Sequence, residues 1–190
     1  RKQMKPWAKK EFDIHRNIIE KCLHGDRKAQ YELYTLYAGA MLNVAFRMTG
    51  SREDAEDILQ EAFVDAFTKL DKFRFEASFG SWLKRIVVNK TINKLKTRKL
   101  EMSFIEDHEH IQIADDDISV QEESPMSVEN VKKAMHALPE GAKLVFNLFL
   151  FEGYKHTQIA EVLNISESTS KTQYRYAKLK VREYLKHVDV

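Results

Sequence analysis

The chain has 190 residues, 32% of them charged and 43% hydrophobic, with a formal net charge of +2. This length is enough for one medium-sized domain or two small ones. No apolar run approaches the roughly 18–20 residues that a membrane-spanning helix needs, so we expect no membrane insertion. The single cysteine, Cys22, excludes an intramolecular disulfide and is expected to be a small buried apolar group. With only three prolines and six glycines, the composition favours an all-helical protein.

The near-neutral total charge conceals a segregation of charge along the chain. Residues 1–100 carry 21 Lys and Arg against 13 Asp and Glu, a net charge of +8, and residues 125–190 carry +3. Between them, residues 101–124 hold nine acidic side chains and no Lys or Arg. Basic blocks suit a protein that binds a polyanion, whereas an acidic segment repels one and stays extended. We therefore predict two small helical domains, 1–100 and 127–190, joined by a flexible acidic linker, 101–126.

The acidic segment leaves more than one function open. It is either a solvated linker or a polyanion mimic that occupies a basic channel in a partner. It also contains metal-ligand side chains in Asp107-His108-Glu109-His110 and in Asp115-Asp116-Asp117, which would suit a metal-dependent nuclease. A flexible segment lacks the rigid support that catalysis requires, so we expect no metal site, no cofactor and no catalytic residue.

Apolar periodicity predicts four helices in the first block. They span about 13–23, 26–48, 52–70 and 79–99. The expected apolar stripe of the first helix consists of Ile14, Ile18, Ile19 and Leu23.

The third predicted helix has an acidic exposed side. At its start, Ser51 and Asp54 have the spacing of a capping box. Acidic residues then cover the side away from the apolar stripe, and Gln60 and Val64 interrupt them. An acidic face is usually only solvated, but an exposed glutamine and valine within it indicate a docking surface.

The segment before the fourth helix places two aromatic rings around an arginine, Phe73-Arg74-Phe75. Both rings either fill the core or stack on a nucleobase, since bases stack on aromatic and arginine side chains. The fourth helix then carries seven Lys or Arg and no acidic residue over 84–99. Asn89, Asn93 and Lys96 share one of its faces. Because Asn reads base edges and Lys binds phosphates, this face predicts a nucleic-acid surface.

The second block ends in the pattern of a helix-turn-helix. A short helix over 156–163 is followed by Asn164, which tolerates a left-handed turn, and by Ser166, which can cap a long helix. The first part of such a second helix enters the major groove of DNA. The side chains in that part are Ser168, Thr169, Lys171, Thr172 and Gln173. A protein-binding helical hairpin has the same pattern and remains an alternative.

Three segments together resemble the extracytoplasmic function (ECF) group of bacterial RNA polymerase sigma factors. They are 54–63 (DAEDILQEAF), 73–93 (with SWLKRIVVN at 81–89) and 153–178. The resemblance implies a cytoplasmic transcription initiation factor, associated with the nucleoid when active. Such a factor binds core RNA polymerase, recognises and melts the promoter −10 element, and reads the −35 element. A helix-turn-helix regulator that acts without polymerase is the alternative.

The resemblance also implies roles for individual positions. The exposed face of the third helix is implied to bind the clamp helices of the polymerase β′ subunit, with the β subunit as a further contact. The implied polymerase-binding residues are Asp54, Asp57, Leu59, Gln60 and Glu61. The residues implied for the −10 element are Phe73, Arg74, Phe75, Trp82, Arg85, Asn89, Lys90, Asn93 and Lys96. Those implied for the −35 element are Ser168, Thr169, Lys171, Thr172, Arg175, Tyr176 and Lys178.

Three positions depart from the family pattern. Lys155 stands where a Ser or Thr usually caps the first helix of the helix-turn-helix. Ser170 replaces a usual apolar residue, and Phe75 replaces a usual small residue or Gly in the −10 loop. An anti-sigma protein is a further partner that the resemblance implies.

Overall fold

In the computed structural model, residues 14–98 and 128–188 are described, and every regular element in them is helical. This confirms the predicted fold class. The described residues form two compact units, one in each range. The first unit contains α1 (Arg16–Leu23), α2 (Arg27–Thr49), α3 (Arg52–Thr68), a 3-10 turn (Leu70–Lys72) and α4 (Phe79–Arg98). The second contains α5 (Val128–His136), α6 (Glu140–Leu150), α7 (His156–Leu163) and α8 (Glu167–Val188).

The helices of the first unit begin and end at the residues that local chemistry favours. The Asp26 carboxylate accepts hydrogen bonds from the backbone N–H groups of Lys28 and Ala29, at 2.8 and 3.2 Å, and so caps α2. Gly50 ends α2 with φ +69°, a left-handed conformation that glycine adopts without steric cost. The Ser51 hydroxyl then accepts from the Asp54 N–H at 3.3 Å and caps α3, as the sequence predicted.

The core of the first unit lies between α2, α3 and α4. Leu33 and Ala45 on α2, Ile58 on α3, and Leu83 and Val88 on α4 are all at most 1% exposed. These residues recur at helical spacing, so each helix buries one apolar stripe and leaves its opposite face to solvent. The core therefore fixes which sides of α3 and α4 can meet a partner.

The predicted apolar stripe of the first helix is confirmed at Ile19, which is buried, and in part at Ile18, which is half-buried, but it is wrong at Ile14 and Leu23. Ile14 is 72% exposed and Leu23 is 45% exposed, whereas Ile19 and Cys22 are buried. The helix begins only at Arg16, so Ile14 precedes it and falls outside the helical register. Two turns of helix then bury a narrow face, which Ile19 and Cys22 provide at a spacing of three residues.

The second unit is built around α6, which is buried over most of its length. Ala142, Leu144 and Leu148 are at most 3% exposed. One cluster joins α5, α6 and α8 through Ala134, Met135, Leu138, Ala142, Phe146, Ala177 and Val181. This core leaves the start of α8 at the surface.

The predictions for the acidic segment lie outside the described residues. This applies to the linker at 101–126 and to the possible metal ligands at 107–110 and 115–117. Within 14–98 and 128–188, no cluster of His, Cys, Asp and Glu is arranged to hold a metal ion. Across the same two ranges, none of the helices combines the length and the apolar character needed to cross a bilayer.

Candidate nucleic-acid and partner interfaces

The outward side of α3 forms a polar surface with one apolar residue in it. Asp57, Gln60 and Glu61 are exposed, and Val64 beside them is 64% exposed. These side chains lie opposite the stripe that α3 packs into the core. We call these four residues the α3 surface.

Two of the predicted polymerase-binding residues do not belong to the α3 surface. Leu59 is 5% exposed and packs in the core, because it shares a face with the buried Ala62 and Ala66. Asp54 is 3% exposed and is directed towards α4. Their prediction as surface contacts is corrected, because neither side chain is exposed on the outward side of α3.

Lys90 on α4 is bound to the carboxylates of α3. Its Nζ lies 3.3 Å from an oxygen of Glu61 and 3.3 Å from an oxygen of Asp65. The lysine side chain is only 22% exposed. Partial burial acts to lower the pKa of Lys90, but the hydrogen bonds to Glu61 and Asp65 outweigh it and the pKa is raised. Lys90 therefore keeps its charge, but that charge is compensated by α3.

Lys94, one turn further along α4, has the same arrangement. Its Nζ lies 3.0 Å from the Asp57 carboxylate and 3.2 Å from that of Asp54. The hydrogen bond to Asp57 raises the pKa of Lys94 against the opposing effect of partial burial. We call the contacts of Lys90 and Lys94 together the α3–α4 ion pairs. The sequence predicted that Lys90 contacts DNA. In the structure, Lys90 links α4 to α3 through its ion pairs.

The loop before α4 contains one core ring and one partly exposed ring. Phe73 is 7% exposed, and its ring centroid lies 4.7 Å from that of Phe75, 5.8 Å from that of Phe79 and 5.3 Å from that of Trp82. For Phe73 the core alternative therefore holds, and its prediction as a base-stacking ring is corrected. Phe75 and Trp82 are half-buried and each keeps part of its ring at the surface.

Phe75 adopts a backbone conformation that favours glycine. Its φ is +56°, in the left-handed region that costs a residue with a Cβ about 1–2 kcal/mol. This explains why Gly would suit the position. Two contacts hold Phe75 in place, the Phe73 ring on one side and the Arg16 guanidinium, whose Cζ lies 4.8 Å from the Phe75 ring centroid. Arg16 belongs to this site and was missed from the sequence, since α1 is distant in the chain.

The polar face of α4 is presented as predicted. Ser78 caps the helix by accepting from the Ser81 N–H at 3.2 Å. Arg74 in the loop and Arg85, Asn89 and Asn93 on the helix are exposed, and Lys96 is half-buried. The two amides lie four residues apart, so they are neighbours on one side of the helix. This face carries donors and acceptors for base edges and positive charge for phosphates.

The second unit contains the predicted helix-turn-helix. Asn164 ends α7 with φ +56°, and the Ser166 hydroxyl caps α8 by accepting from the Thr169 N–H at 2.9 Å. The exposed predicted residues of α8 are Ser168, Lys171, Arg175 and Lys178, and the half-buried ones are Thr169, Thr172 and Tyr176. Lys171 forms an ion pair with Glu167 at 2.7 Å. The first turns of α8 thus offer a polar and basic edge.

Of the residues predicted to face DNA on α8, Gln173 turns inwards and Tyr176 packs partly against the core. Gln173 is fully buried, three residues after the buried Ser170 and four before the buried Ala177, so it cannot reach a base edge. Tyr176 packs partly against the core cluster of α5, α6 and α8, and the Lys180 Nζ lies 6.0 Å from its ring centroid. The prediction for Gln173 is corrected, because the buried stripe of α8 is wider than its apolar residues indicate. Tyr176 is half-buried, and its contact with the −35 element stays a prediction.

The start of α7 lacks a side-chain cap, in agreement with the departure at Lys155. An ammonium group has no acceptor for a backbone N–H. Only the reciprocal half of a capping box forms, in which the Gln158 side chain accepts from the Lys155 N–H at 2.9 Å. Next to it, the Nδ1 of His156 lies 2.9 Å from the buried Oγ of Ser170, a contact that the sequence did not indicate.

Two family models match the chain, one in each unit. The model of sigma-70 region 2 matches residues 33–101, and that of sigma-70 region 4 matches residues 128–181. The chain is 30% identical to the ECF RNA polymerase sigma-E factor of Haemophilus influenzae, over 82% of this chain and 87% of that one. It is 28% identical to the ECF RNA polymerase sigma factor SigW of Bacillus subtilis, over 88% and 95% of the two chains.

Two solved structures share this fold. The sigma factor RpoE of Bartonella quintana, in complex with the anti-sigma factor NepR, matches with a TM-score of 0.54 and 22% identity, over 82% of this chain and 96% of that one. CnrH, in complex with the cytosolic domain of CnrY, also matches with a TM-score of 0.54, at 21% identity, over 91% and 97%. At these identities, the likeness establishes the helical fold.

A polar α3–α4 unit and a helix-turn-helix unit, matched by regions 2 and 4, define the class of sigma-70 transcription factors. This chain belongs to the ECF group of RNA polymerase sigma factors. It is an initiation factor that binds core RNA polymerase and directs it to promoters. A regulator that acts without polymerase is not favoured, since region 2 accompanies the helix-turn-helix.

Proposed function

We propose that the two domains, 1–100 and 127–190, divide promoter recognition between them, with 101–126 as the linker. The first binds polymerase and melts and captures the −10 element, and the second reads the −35 element. The observation that carries this proposal is the placement of polar side chains. In each unit the core is covered on one side by helices whose outward faces carry amides, hydroxyls and cations.

We propose that the α3 surface binds the clamp helices of the polymerase β′ subunit, with Gln60 at its centre. Asp57 and Glu61 flank the amide, and Val64 supplies an exposed apolar group of the kind that interface cores bury. The β subunit is a further expected contact of the chain.

The −10 element is assigned to the loop and to the polar face of α4. Strand separation costs a few kcal/mol for each unstacked base, so a preformed pocket favours the open form. Phe75 and Trp82 present half-exposed rings on which a base can stack, and Arg74 lies next to them. Asn89 and Asn93 offer base-edge contacts, and Arg85 and Lys96 offer phosphate contacts.

The −35 element is assigned to the first turns of α8. In a helix-turn-helix the N-terminal part of the second helix contacts base edges in the major groove. Ser168, Thr169 and Thr172 are placed for those contacts, and Lys171, Arg175 and Lys178 for phosphates or guanines.

We infer that the chain supplies no catalytic group of its own, because RNA synthesis belongs to the polymerase that it directs. Its expected place of action is the bacterial cytoplasm, on the nucleoid when active. We also propose an anti-sigma protein as a partner, since the sigma factor RpoE, which shares the fold, is found in a complex with the anti-sigma factor NepR.

Three variants separate the proposed steps. The assays use a promoter selected from genomic fragments by run-off transcription. Gln60→Ala should lose polymerase binding, and Asn89→Ala should keep polymerase binding but lose strand opening. Lys171→Ala should weaken binding to the −35 element. Circular dichroism controls for folding. If all three folded variants impaired every step equally, the assignment of the surfaces would be wrong.

A further inference from the structure

The α3–α4 ion pairs connect the two functional surfaces of the first unit. On α3, the ion pairs involve Glu61 and Asp57, which belong to the surface that we assign to polymerase, and the neighbouring Asp54 and Asp65. On α4 they use Lys90 and Lys94, which flank the amides that we assign to the −10 element. Both lysine side chains are only 22–27% exposed and lie against those carboxylates. In the chain alone, these two cations are therefore compensated by α3.

We propose that the carboxylates of α3 set the nucleic-acid affinity of α4, by holding Lys90 and Lys94 away from phosphate groups until a partner with a basic surface binds α3. The inference rests on the proposed function, which assigns the α3 surface to polymerase. When the partner's cations pair with the exposed carboxylates of Glu61 and Asp57, each lysine is held by one carboxylate fewer and becomes more available to phosphates. Each binding event then favours the other by the same factor, as linkage requires.

The exposure of the carboxylates makes this exchange possible. The side chains of Glu61 and Asp57 are 65% and 58% exposed, so a second protein can reach them while the lysines stay in place. The ion pairs of Glu61 and Asp57 involve exposed carboxylates and contribute little to folding stability, so breaking them leaves the helices packed. A lysine that must first leave a carboxylate nevertheless binds phosphate more weakly than a lysine that is already available.

The test measures binding of the free full-length chain to an oligothymidylate of about 20 nucleotides, across a series of salt concentrations. Glu61→Gln/Asp65→Asn removes both partners of Lys90 with little change in shape. Asp65→Asn also removes the partner of Lys69, whose Nζ lies 3.2 Å from the Asp65 carboxylate, just as the control variant below releases Arg52. We expect this double variant to bind about threefold to tenfold more tightly at low salt. The slope of log affinity against log salt should steepen by about 0.7, the value for one additional phosphate contact on a single strand.

A matched control separates the release of Lys90 from the general effect of charge. Glu53→Gln/Glu56→Gln removes the same two charges from exposed positions of α3, where Glu56 pairs with Arg52 at 2.7 Å. This control variant should leave the slope of log affinity against log salt unchanged. Adding Lys90→Gln to Glu61→Gln/Asp65→Asn should abolish the gain in affinity for oligothymidylate. An equal gain in the two double variants, or no gain in the first, would overturn the inference.

Co-elution with core polymerase tests the proposed function separately from this inference. If the wild-type chain co-elutes with polymerase but Glu61→Gln/Asp65→Asn binds oligothymidylate no better, the ion pairs do not control DNA binding and the proposed function stands. If the wild-type chain does not co-elute, the proposed function itself fails.

Discussion

In the second unit, the Nδ1 of His156 lies 2.9 Å from the Oγ of Ser170, and this contact joins the first residue of α7 to the buried side of α8. The imidazole also stacks on Phe149, with ring centroids 4.5 Å apart. A hydroxyl at a buried position needs a hydrogen-bonding partner, and His156 provides it. The two helices of the helix-turn-helix are therefore joined by a polar contact at a position where an apolar residue is usual.

This contact predicts that the second unit loses stability in mild acid. Burial, and then the positive charge of Lys171, lower the pKa of His156 below its ordinary value of about 6.5. Above that pH the imidazole is neutral in the folded and unfolded chains. As the pH falls below it, the unfolded chain takes up the proton first, so the free energy of unfolding decreases. Thermal melts between about pH 7.5 and 5.5 should show this decrease, and His156→Gln should reduce it. A pH dependence unchanged by His156→Gln would contradict the prediction.

Two glycines inside helices should respond to alanine in opposite ways. Within a helix, Gly→Ala usually stabilises by about 0.5–1 kcal/mol. Gly39 on α2 has nothing within 4 Å of an added Cβ and should show this gain. At Gly80 on α4 the Cβ would lie 2.9 Å from the Tyr37 ring. That ring cannot move freely, because its hydroxyl lies 2.7 Å from Nδ1 of His15. Thermal melts should place Gly39→Ala above the wild type and Gly80→Ala below it, and a gain for Gly80→Ala would show that the ring yields.

Cys22 should be unreactive in the folded chain. Burial, followed by the negative charges of Asp26 and Glu32, raises the pKa of its thiol to about 11. Only the thiolate is nucleophilic, so the native protein should resist iodoacetamide at about pH 8. The chain in guanidinium chloride serves as the control and should gain one adduct by mass spectrometry. Rapid labelling of the native chain would contradict the burial of α1 against its unit.

Gln173 and Ser168 should separate folding from base reading on α8. Gln173 is fully buried, so Gln173→Ala leaves a cavity and removes a polar side chain from the core. We expect it to lower the free energy of unfolding by about 1–3 kcal/mol. Ser168→Ala at the exposed side should change stability by less than about 0.5 kcal/mol and should instead weaken −35 discrimination. Denaturant unfolding measures the first effect, and equal stability of the two variants would show that Gln173 contributes nothing to the core.

The serine caps and the left-handed turn of the helix-turn-helix were the most predictable features of the sequence. Ser51, Ser78 and Ser166 each accept a hydrogen bond from the backbone N–H three residues later, and Asn164 adopts the predicted left-handed turn. These features depend on neighbours within four residues, so the local sequence is sufficient to identify them. The burial of Phe73 and Gln173 depends on distant helices, and local periodicity therefore left the first open and misjudged the second.

The α3–α4 ion pairs could not be predicted for the same reason. Lys90 and Glu61 are 29 residues apart in the chain, and Lys94 and Asp57 are 37 apart. The sequence shows an acidic helix and a basic helix, which suggests two separate surfaces. Only the packing of α3 against α4 brings their charges into contact, and it places Lys90 beside Glu61 of the α3 surface.

Binding to core RNA polymerase through the α3 surface is the central claim, and size-exclusion chromatography of the full chain mixed with core polymerase tests it most directly. We expect the wild-type chain to co-elute with polymerase and Gln60→Ala to elute alone. Asn43→Ala, which removes an exposed amide from α2, serves as the control and should co-elute. Co-elution of folded Gln60→Ala to the same extent as the wild type would contradict the assignment of the α3 surface, and absence of wild-type co-elution would contradict the account as a whole.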